Sequence, residues 1–486
     1  MQYISTRGGE PVSAAEAIVR GISPSGGLFV PQEFPSVPMQ NWVNQNNYPT
    51  LAATIMQPYL DMPEEQLLEL TKSAYSNKFD DPNIAPIVKL DEKECIMELF
   101  HGPTLAFKDM ALQMLPYLMR HSLAEVGGGK QVYILVATSG DTGKAALEGF
   151  CDVPGTAVHV FYPHEGVSRA QLLQMVTQQG KNVYVSGVHG NFDDAQTAVK
   201  CIFANASLNQ QINEAGFSLS SANSINFGRL LPQIAYYYSA YAKLVQDGSI
   251  KQGDKINFCV PTGNFGNILA GYYALRMGLP IKKLICASNR NNVLTGFFQD
   301  GVYNARRPFY KSMSCSIDIL VSSNLERLLF EAANRDASQV SSWMQALSGD
   351  GSYRISDDAK KTLGNVFYAD WCDEQQTLDT IRKYFDKYGY LMDPHTAVAQ
   401  TVFERYRAQD DTPTVLLSTA HPFKFASDVL GAFEKAQEDE FENVARLSKI
   451  TGVKIPDSIA ALENSPVIHD FVCDLADMPK RVLDVL

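Results

Sequence analysis

The feature that most constrains the fold is a regular alternation of short apolar runs and longer helical patterns between residues 131 and 419. Each apolar run has the length of a strand and leads through a polar loop into an amphipathic stretch. Strand, loop and helix repeated in this order predict an α/β fold, in which parallel sheets carry helices on both faces. The predicted strands are 131–138, 157–161, 182–185, 256–260, 283–288 and 413–419, and the predicted helices among them are 168–179, 193–204, 230–245 and 267–277.

The alternation does not extend over the whole chain of 486 residues, which is too long for one small core. Residues 1–92 contain proline-rich turns and helix patterns and predict a mainly helical N-terminal segment. Residues 93–255 predict a smaller α/β domain and residues 256–486 a larger one, to which N-terminal parts can also contribute. Residues 300–370 break the alternation and predict an insertion in the larger domain.

Composition excludes several classes of protein. A formal net charge of −12 argues against a nucleic-acid-binding face, which needs clustered Lys and Arg. The sequence has no run of about 18 apolar residues, which predicts no membrane span, and its first residues do not read as a signal peptide. Eight scattered cysteines without a CxxC pair indicate a reducing compartment, and we expect the cytoplasm. The histidines show no metal-ligand spacing such as HExxH, so no metal is predicted.

In parallel sheets, ligands bind in the loops at the carboxyl ends of the strands. The strand 256–260 runs into the loop 261–267, PTGNFGN, which opens a predicted helix. Two glycines and small polar residues at such a turn can direct several backbone N–H groups at one anion, and the helix dipole adds to the attraction. The loop favours a phosphate group, although a tight turn without a ligand would read in the same way.

Two further loops lie at predicted strand ends. The run 139–144, SGDTGK, resembles a phosphate-binding loop but fails the Walker pattern, because Thr138 and Ala145 replace the required glycine and hydroxyl residue. Its hydroxyls, amides and Lys144 still suit an anion. Thr419 ends the strand 413–419, where its hydroxyl can bond a ring nitrogen.

Lys108 lies in the run ELFHGPTLAFKDM, after an apolar stretch and before a helical pattern at 110–118. Burial and the positive end of a helix both disfavour the ammonium form of a lysine. A neutral amine is a nucleophile that forms Schiff bases with carbonyl groups. A reactive lysine, a phosphate loop and a partner for a ring nitrogen together suggest pyridoxal 5′-phosphate, which carries an aldehyde, a phosphate and an electron-withdrawing ring.

The chain resembles the threonine synthase family, in its longer bacterial and fungal branch, over nearly its whole length. The motifs that carry the resemblance are YISTRGG, PSGGLFVP, ELFHGPTLAFKD, ATSGDTGKAA, SANSINFGR, PTGNFGN, DPHTAVA and LSTAHPFKF. The resemblance implies the fold of type II pyridoxal-phosphate enzymes, with two parallel-sheet, three-layer domains.

Site roles follow from the resemblance by position. It makes Lys108 the Schiff-base lysine, and it implies a cofactor site and a substrate site. The cofactor site comprises Phe107, Lys108, Asp141, Gly263, Asn264, Phe265, Gly266, Asn267 and Thr419, and the substrate site comprises Ser139, Thr142, Lys144, Ser224, Asn226 and Arg229. At the position of Asp141 many relatives of this fold have asparagine, and a carboxylate beside the phenolic oxygen of the cofactor is unfavourable unless one of them holds a proton.

The implied reaction converts O-phospho-L-homoserine and water into L-threonine and phosphate. A phospho-lyase that forms 2-oxobutanoate from the same substrate, and a non-catalytic binding protein on the same scaffold, are the alternatives. The small-molecule substrate is the expected partner, and the chain is expected to be a monomer or a homodimer.

Overall fold

The computed structural model describes residues 1–138, 140–165 and 167–486. Its strands are β1 (Gln2–Ser5), β2 (Val12–Ser13), β3 (Phe29–Pro31), β4 (Ile87–Lys89), β5 (Glu94–Glu98), β6 (Gln131–Ala137), β7 (Thr156–Pro163), β8 (Val183–His189), β9 (Phe217–Ser220), β10 (Ile256–Pro261), β11 (Ile281–Ser288), β12 (Val302–Asn304), β13 (Ser352–Arg354), β14 (Phe367–Trp371), β15 (Thr414–Ser418) and β16 (Val472–Asp474).

The α-helices lie mainly between these strands. They are α1 (Ala14–Arg20), α2 (Tyr48–Met56), α3 (Glu64–Tyr75), α4 (Asp109–Leu112), α5 (Leu115–Val126), α6 (Asp141–Phe150), α7 (Arg169–Val176), α8 (Phe192–Ala204), α9 (Ala206–Glu214), α10 (Phe227–Gln246), α11 (Gly266–Arg276), α12 (Val293–Asp300), α13 (Leu325–Ala332), α14 (Ala337–Asp350), α15 (Asp357–Val366), α16 (Glu374–Tyr388), α17 (Pro394–Arg407), α18 (Ala426–Leu430), α19 (Glu440–Thr451), α20 (Asp457–Ala460) and α21 (Met478–Asp484). Short 3-10 turns occupy Met39–Asn41, Gln57–Tyr59, Cys315–Ile317, Pro422–Phe425, Leu462–Asn464 and Leu475–Asp477.

The larger sheet has six strands in the order β14-β11-β10-β15-β5-β4, all parallel except the edge strand β4. Side chains alternate between its two faces, as strand geometry requires. In β10, Cys259 packs in the cluster that contains α17, whereas Phe258 and Val260 pack in the cluster that contains α10 and α11. Both faces are therefore buried, and this explains why the strand sequences are apolar throughout.

The smaller sheet has five parallel strands in the order β16-β8-β7-β6-β9. In β6, Tyr133 and Leu135 pack in the cluster that contains α8, α9 and α21. The alternate residues Val132 and Ile134 belong to the main core with α5 and α6. The predicted fold class, with two parallel sheets each between helical layers, is confirmed.

The N-terminal segment is mainly helical and also contains the small antiparallel sheet β2-β1-β3. Trp42 anchors the segment to the body of the protein, because its buried indole makes edge contacts with Tyr238 and Tyr241 of α10. Within the described residues, no helix is both long and apolar enough to cross a membrane.

Two strands depart from the predicted division of the chain, which otherwise stays a prediction. The strand β5, placed by sequence with 93–255, pairs with β15 in the larger sheet, and β16 pairs with β8 in the smaller one. The chain thus passes from the larger sheet to the smaller one between β5 and β6, back to the larger sheet between β9 and β10, and to the smaller sheet again at β16. The region 300–370 supplies the β12–β13 pair, helices α13 to α15 and the start of β14.

Element boundaries predicted from sequence differ from the observed ones by a few residues. Ser168 caps α7 as expected, since its hydroxyl accepts the Gln171 N–H. The helix predicted directly after Lys108 is wrong in extent. It consists of the single turn α4 and then α5, with Pro116 in the first turn of α5, where proline suits a helix start.

Candidate active site

The loop that carries Lys108 is fixed by a buried hydrogen-bonded pair. The N–H and hydroxyl of Thr104 donate to the two carboxylate oxygens of Asp109, at 2.8 and 2.7 Å. The bonds close a tight turn in which Leu105 adopts a left-handed conformation with φ of 58°. A Cβ on Gly102 would lie 2.5 Å from Asp109 Oδ2, so only glycine fits there. Burial raises the pKa of Asp109 to about 6.

Backbone pairing holds this loop against the segment that follows β15. The Phe107 N–H donates to the Thr419 carbonyl at 2.9 Å, and the His421 N–H donates to the Leu105 carbonyl at 3.0 Å. Ala106 and Ala420 form an isolated antiparallel bridge between them. Thr419 therefore lies next to the lysine loop. Thr419 is a buried residue, and in the part of the chain that the structure describes no protein group bonds its hydroxyl.

The Lys108 side chain is mostly buried and points at a carboxylate. Its Nζ lies 3.2 Å from Asp141 Oδ2 and 3.5 Å from the Ser316 hydroxyl, which itself donates to Asp141 Oδ2 at 3.2 Å. The Lys424 Nζ lies 3.0 Å from Asp141 Oδ1, in an ion pair that is not an aligned hydrogen bond. Asp141 thus lies between two ammonium groups.

These two ammonium groups decide the charge of Asp141. Burial alone would raise the pKa of the Asp141 carboxyl, but the attraction of Lys424 and Lys108 outweighs burial and holds the pKa well below its usual range. Asp141 also begins helix α6, where the dipole favours an anion. The side chain is therefore a carboxylate, paired with Lys424, whose side chain is only 3% exposed.

The glycine loop opens helix α11 in the manner of an anion site. Phe265 adopts a left-handed conformation with φ of 66°, and no side chain caps the helix. The Asn267 Oδ1 accepts hydrogen bonds from the hydroxyls of Tyr236 and Tyr237 at 2.6 and 2.9 Å. Its buried Nδ2 has no partner among the described residues. The first turn of α11 therefore offers backbone and amide donors that no other described residue uses.

A segment at 312–327 connects these parts. A Cβ on Gly263 would lie 3.0 Å from the Ser316 carbonyl oxygen, so the glycine loop and Ser316 are in close contact. The backbone and side-chain N–H groups of Asn324 donate to the Asn264 carbonyl, each at 3.1 Å. The Asn324 amide also donates to the Ser224 carbonyl at 3.2 Å. The segment belongs to the region predicted as an insertion, and it forms one wall of the site.

His395 is bonded to the backbone of this wall at Ser316. Its Nδ1 lies 2.7 Å from Asp393 Oδ1, and its Nε2 accepts the Ser316 N–H at 3.1 Å. Burial disfavours a charged ring, but the contacts with Asp393 outweigh burial and raise the pKa of His395 to about 9. The Ser316 N–H favours the neutral ring instead, so the two neighbours of the imidazole oppose each other.

The residues predicted to hold substrate divide into two groups. The contacts of Asn226 do not support its predicted role as a hydrogen-bond donor to substrate. Its Oδ1 accepts the Gly228 N–H and its Nδ2 donates to the Ile18 carbonyl, both at 2.8 Å. It is a buried helix cap. Lys144 pairs with Glu148 at 3.0 Å and donates to Gln178, and Thr142 lies half-buried in the first turn of α6.

Arg229 and Ser224 remain candidates for contact with a substrate. Arg229 is buried, donates to the Ala222 carbonyl at 2.8 Å and leaves Nε without a partner among the described residues. Burial lowers its pKa to about 10. Ser224 is partly exposed, and its carbonyl is tied to the glycine loop through Asn324. Ser139 lies outside the described residues.

Sequence reasoning missed Ser316, Lys424, Asn324 and His395 as members of this site. Lys424 lies within the LSTAHPFKF motif and His395 within DPHTAVA, so a signal existed for both. Ser316 and Asn324 lie where the strand–helix alternation fails, and nothing local identifies them. Within the described ranges, no group of three His, Cys, Asp or Glu side chains is arranged to hold a metal ion.

The donors present fit pyridoxal 5′-phosphate. Lys108 supplies an amine for the aldehyde, and the uncapped start of α11 with the free amide of Asn267 supplies donors for the phosphate. The Thr419 hydroxyl, which no described residue bonds, can accept or donate a hydrogen bond at a ring nitrogen. The parallel-sheet fold and this donor set define a pyridoxal-phosphate dependent enzyme, and that family's model matches residues 83–419.

Further comparisons narrow the family. The model for the threonine synthase N terminus matches residues 2–75, and that for the threonine synthase C-terminal region matches 396–486. Threonine synthase from Pseudomonas aeruginosa is 38% identical over 438 residues, which cover 88% of this chain and 90% of that one. The crystal structure of threonine synthase with bound pyridoxal phosphate from Brucella melitensis has a TM-score of 0.90 and 35% identity, and covers 100% of this chain and 99% of that one. The chain belongs to the threonine synthase family.

A human relative is more similar in sequence. Threonine synthase-like 1 of Homo sapiens is 42% identical over 440 residues, which cover 88% of this chain but 58% of the human protein. The chain thus spans about three fifths of the length of this curated relative.

Proposed function

We propose that this protein is a threonine synthase, which converts O-phospho-L-homoserine and water into L-threonine and phosphate with pyridoxal 5′-phosphate as cofactor. The observation that carries the proposal is the position of Lys108. Its amine lies 3.2 Å from Asp141 and close to Ser316, which contacts the glycine loop. The Thr419 carbonyl accepts the N–H of Phe107, the residue just before Lys108. The family match supports the cofactor and the reaction.

Different residues of the chain would hold the cofactor and transfer protons. Bound pyridoxal phosphate supplies an aldehyde and a ring that withdraws electrons from the α-carbon of an amino acid. The start of α11 would hold the cofactor phosphate, and Thr419 would bond the ring nitrogen. Lys108 would anchor the cofactor and, once released by the substrate amine, carry protons on Nζ to and from the substrate carbons. The 312–327 wall would limit the entry of water.

Asp141 takes a defined role in this proposal. A carboxylate next to a cofactor oxygen is unfavourable when both are anionic, but Lys424 places a positive charge 3.0 Å from Asp141 Oδ1. The Asp141–Lys424 pair then has no net charge. Asp141 can accept a hydrogen bond from Lys108 Nζ without adding an uncompensated negative charge beside the cofactor.

Recognition of the doubly anionic substrate needs cations in a chain of net charge −12. Arg229 is the stronger candidate, since it is buried without a carboxylate partner among the described residues. Lys144 already pairs with Glu148 and would have to exchange that partner. We retain Thr142, Ser224 and Ser139 as proposed hydrogen-bonding residues, and we assign Asn226 a structural role.

The decisive experiment is to incubate the purified protein with O-phospho-L-homoserine and measure threonine and phosphate together. Equal yields support the synthase. Phosphate with 2-oxobutanoate and ammonia would identify the alternative phospho-lyase, and no turnover with retained ligand binding would identify a non-catalytic relative. Lys108→Ala should abolish both turnover and the visible absorbance of the bound cofactor, and normal activity in this variant would refute the assignment of Lys108.

The cellular setting also remains a proposal. The cysteines are free rather than paired in the described structure, which suits a reducing compartment, and we propose the cytoplasm. The proposed partner is the small-molecule substrate, and the chain would act as a monomer or a homodimer.

A further inference from the structure

A separate cleft lies at the carboxyl end of β11, one strand further along the larger sheet than the glycine loop. Its volume is about 280 Å³, and its walls include Arg290, Arg307, Tyr310, Leu320 and Trp371. Among its described lining residues there are two arginines and no carboxylate. We call it the Arg290 cleft.

Neutral groups contact the two guanidinium groups, of which Arg290 is exposed and Arg307 is partly buried. Arg290 lies 3.9 Å over the ring of Tyr310, and Arg307 donates to Asn292 Oδ1 at 2.9 Å. A Cβ on Gly296 would lie 2.7 Å from Arg307 Nη2, so a glycine in α12 makes the room that this guanidinium occupies. Within the described residues neither arginine makes an ion pair, although the chain carries a net charge of −12.

We propose that the Arg290 cleft binds the phosphate group of a small molecule. Two arginines line one cavity, and a guanidinium group matches the fork geometry of a phosphate. No carboxylate of the described residues lies within ion-pair distance of either arginine. The aromatic walls at Tyr310 and Trp371 suit a flat apolar part of the same ligand. The volume lies near the lower end of the range for small-molecule sites, which restricts the ligand in size.

The cleft shares its wall with the candidate active site. Asn291 accepts the Tyr310 N–H at 3.0 Å and donates to the Tyr310 carbonyl and to Asp318 Oδ1, both at 2.8 Å. Asp318 also accepts the N–H and hydroxyl of Ser312, and Ser316 lies two residues before it. A ligand that moves Arg290 and Tyr310 would therefore act on the segment that carries Ser316. This coupling rests on the proposed function, whereas binding in the cleft does not.

Calorimetric titration of the holoenzyme tests the binding, with inorganic phosphate in one arm and a nucleoside monophosphate in the other. Arg290→Ala and Arg307→Ala should each weaken binding about tenfold, because each removes a charged hydrogen-bond donor. Arg306→Ala is the matched control. It removes the same charge one residue away, from a guanidinium that donates to the Gly349 carbonyl outside the cleft, and should bind as the wild type does.

The outcomes separate the possible sources of the phosphate. Tighter binding of the nucleotide indicates an effector with an aromatic part, and preference for phosphate alone indicates the product of the proposed reaction. Phosphate bound in the substrate site of the holoenzyme should be insensitive to the arginine variants, so only a site lost in them belongs to the cleft. Equal binding by all variants, or no binding of either probe, would overturn the proposal.

Coupling has a separate readout in the absorbance of the bound cofactor. Saturating ligand should shift this spectrum in the wild type and in Arg306→Ala but not in Arg290→Ala. Binding without a spectral shift would refute the coupling to the active site, whereas the proposed binding of ligand in the Arg290 cleft would stand. Lys108→Ala should retain ligand binding in the cleft, even if the protein proves not to be a threonine synthase.

Discussion

Replacement of Lys424 by methionine tests whether the Asp141–Lys424 pair is the charge-neutral unit described above. Methionine keeps most of the side-chain length and removes the ammonium. At 3.0 Å and an effective dielectric constant of about 20, the attraction amounts to about 5.5 kcal/mol. Lys108 still lies 3.2 Å from the other oxygen, so Asp141 keeps one cation in the apoprotein. We therefore expect destabilisation at the low end of the range for broken buried pairs, about 3 kcal/mol.

Thermal unfolding of the apoprotein provides the assay. For 486 residues the entropy of unfolding is about 1 kcal/mol per kelvin, so Lys424→Met should lower Tm by about 3 °C. The double variant Asp141→Asn with Lys424→Met should unfold closer to the wild type than Lys424→Met does, because no buried carboxylate remains. Lys383→Met is the control. It removes an ammonium from an exposed pair with Glu404 and should change Tm by well under 1 °C.

The pH dependence follows from the direction of the Asp141 pKa. Because the folded-state pKa lies below the ordinary value of about 4, the contribution of the pair is complete above that pH and decreases as the pH falls through the folded-state pKa. The Tm difference between wild type and Lys424→Met should thus be constant between about pH 6 and pH 8. An unchanged Tm in Lys424→Met, or a double variant that unfolds no closer to the wild type than Lys424→Met does, would refute the reasoning.

Three further predictions concern the loops around the site. Gly263→Ala places a methyl group 3.0 Å from the Ser316 carbonyl oxygen and should weaken cofactor binding about tenfold, measured by absorbance titration; unchanged affinity would contradict the close contact. Asp109 has a pKa of about 6 in the folded protein, above its unfolded value, so the stability of the wild type relative to Asp109→Asn should fall by up to about 3 kcal/mol as the pH rises from about 4 to about 6. A pH-independent difference in Tm would exclude burial as the cause. Asn226→Ala should destabilise the protein by about 1 kcal/mol through loss of a helix cap, with little change in KM; a selective rise in KM would restore its predicted role in substrate binding.

The parts of the site that sequence could predict lie on local patterns. A strand that ends in PTGNFGN predicts a helix N-terminus that can bind an anion. In the structure no described side chain caps this N-terminus, and the Asn267 amide nitrogen beside it has no partner among the described residues. Thr419 was identified because it ends a strand. Both signals depend only on residues within one turn of the chain, where the order strand, loop and helix fixes the position of each group relative to the sheet edge.

The remaining parts depend on distant pairings that no local pattern specifies. Ser316 contacts Lys108 although the two residues are 208 positions apart in the sequence. Lys424 forms an ion pair with Asp141, and the sequence around neither residue indicates that pair. The sequence predicts a neutral Lys108 amine from burial and from the start of a long helix. In the structure the helix that follows Lys108 has only four residues, and the carboxylate of Asp141 lies 3.2 Å from the amine. The sequence around Lys108 does not reveal this carboxylate. The pairing of β5 with β15 likewise joins residues far apart in the sequence, so no local pattern predicts it.

The position of β5 has a consequence for how the protein is made. Glu94–Glu98 emerges early in translation, but its parallel neighbour Thr414–Ser418 follows more than 300 residues later. Until then β5 can pair only with the short strand β4, and its other edge stays open to unrelated strands. The larger sheet, with the loop that leads to Lys108, therefore closes only when nearly the whole chain has left the ribosome. Premature termination before β15 should yield aggregating fragments rather than a folded first half.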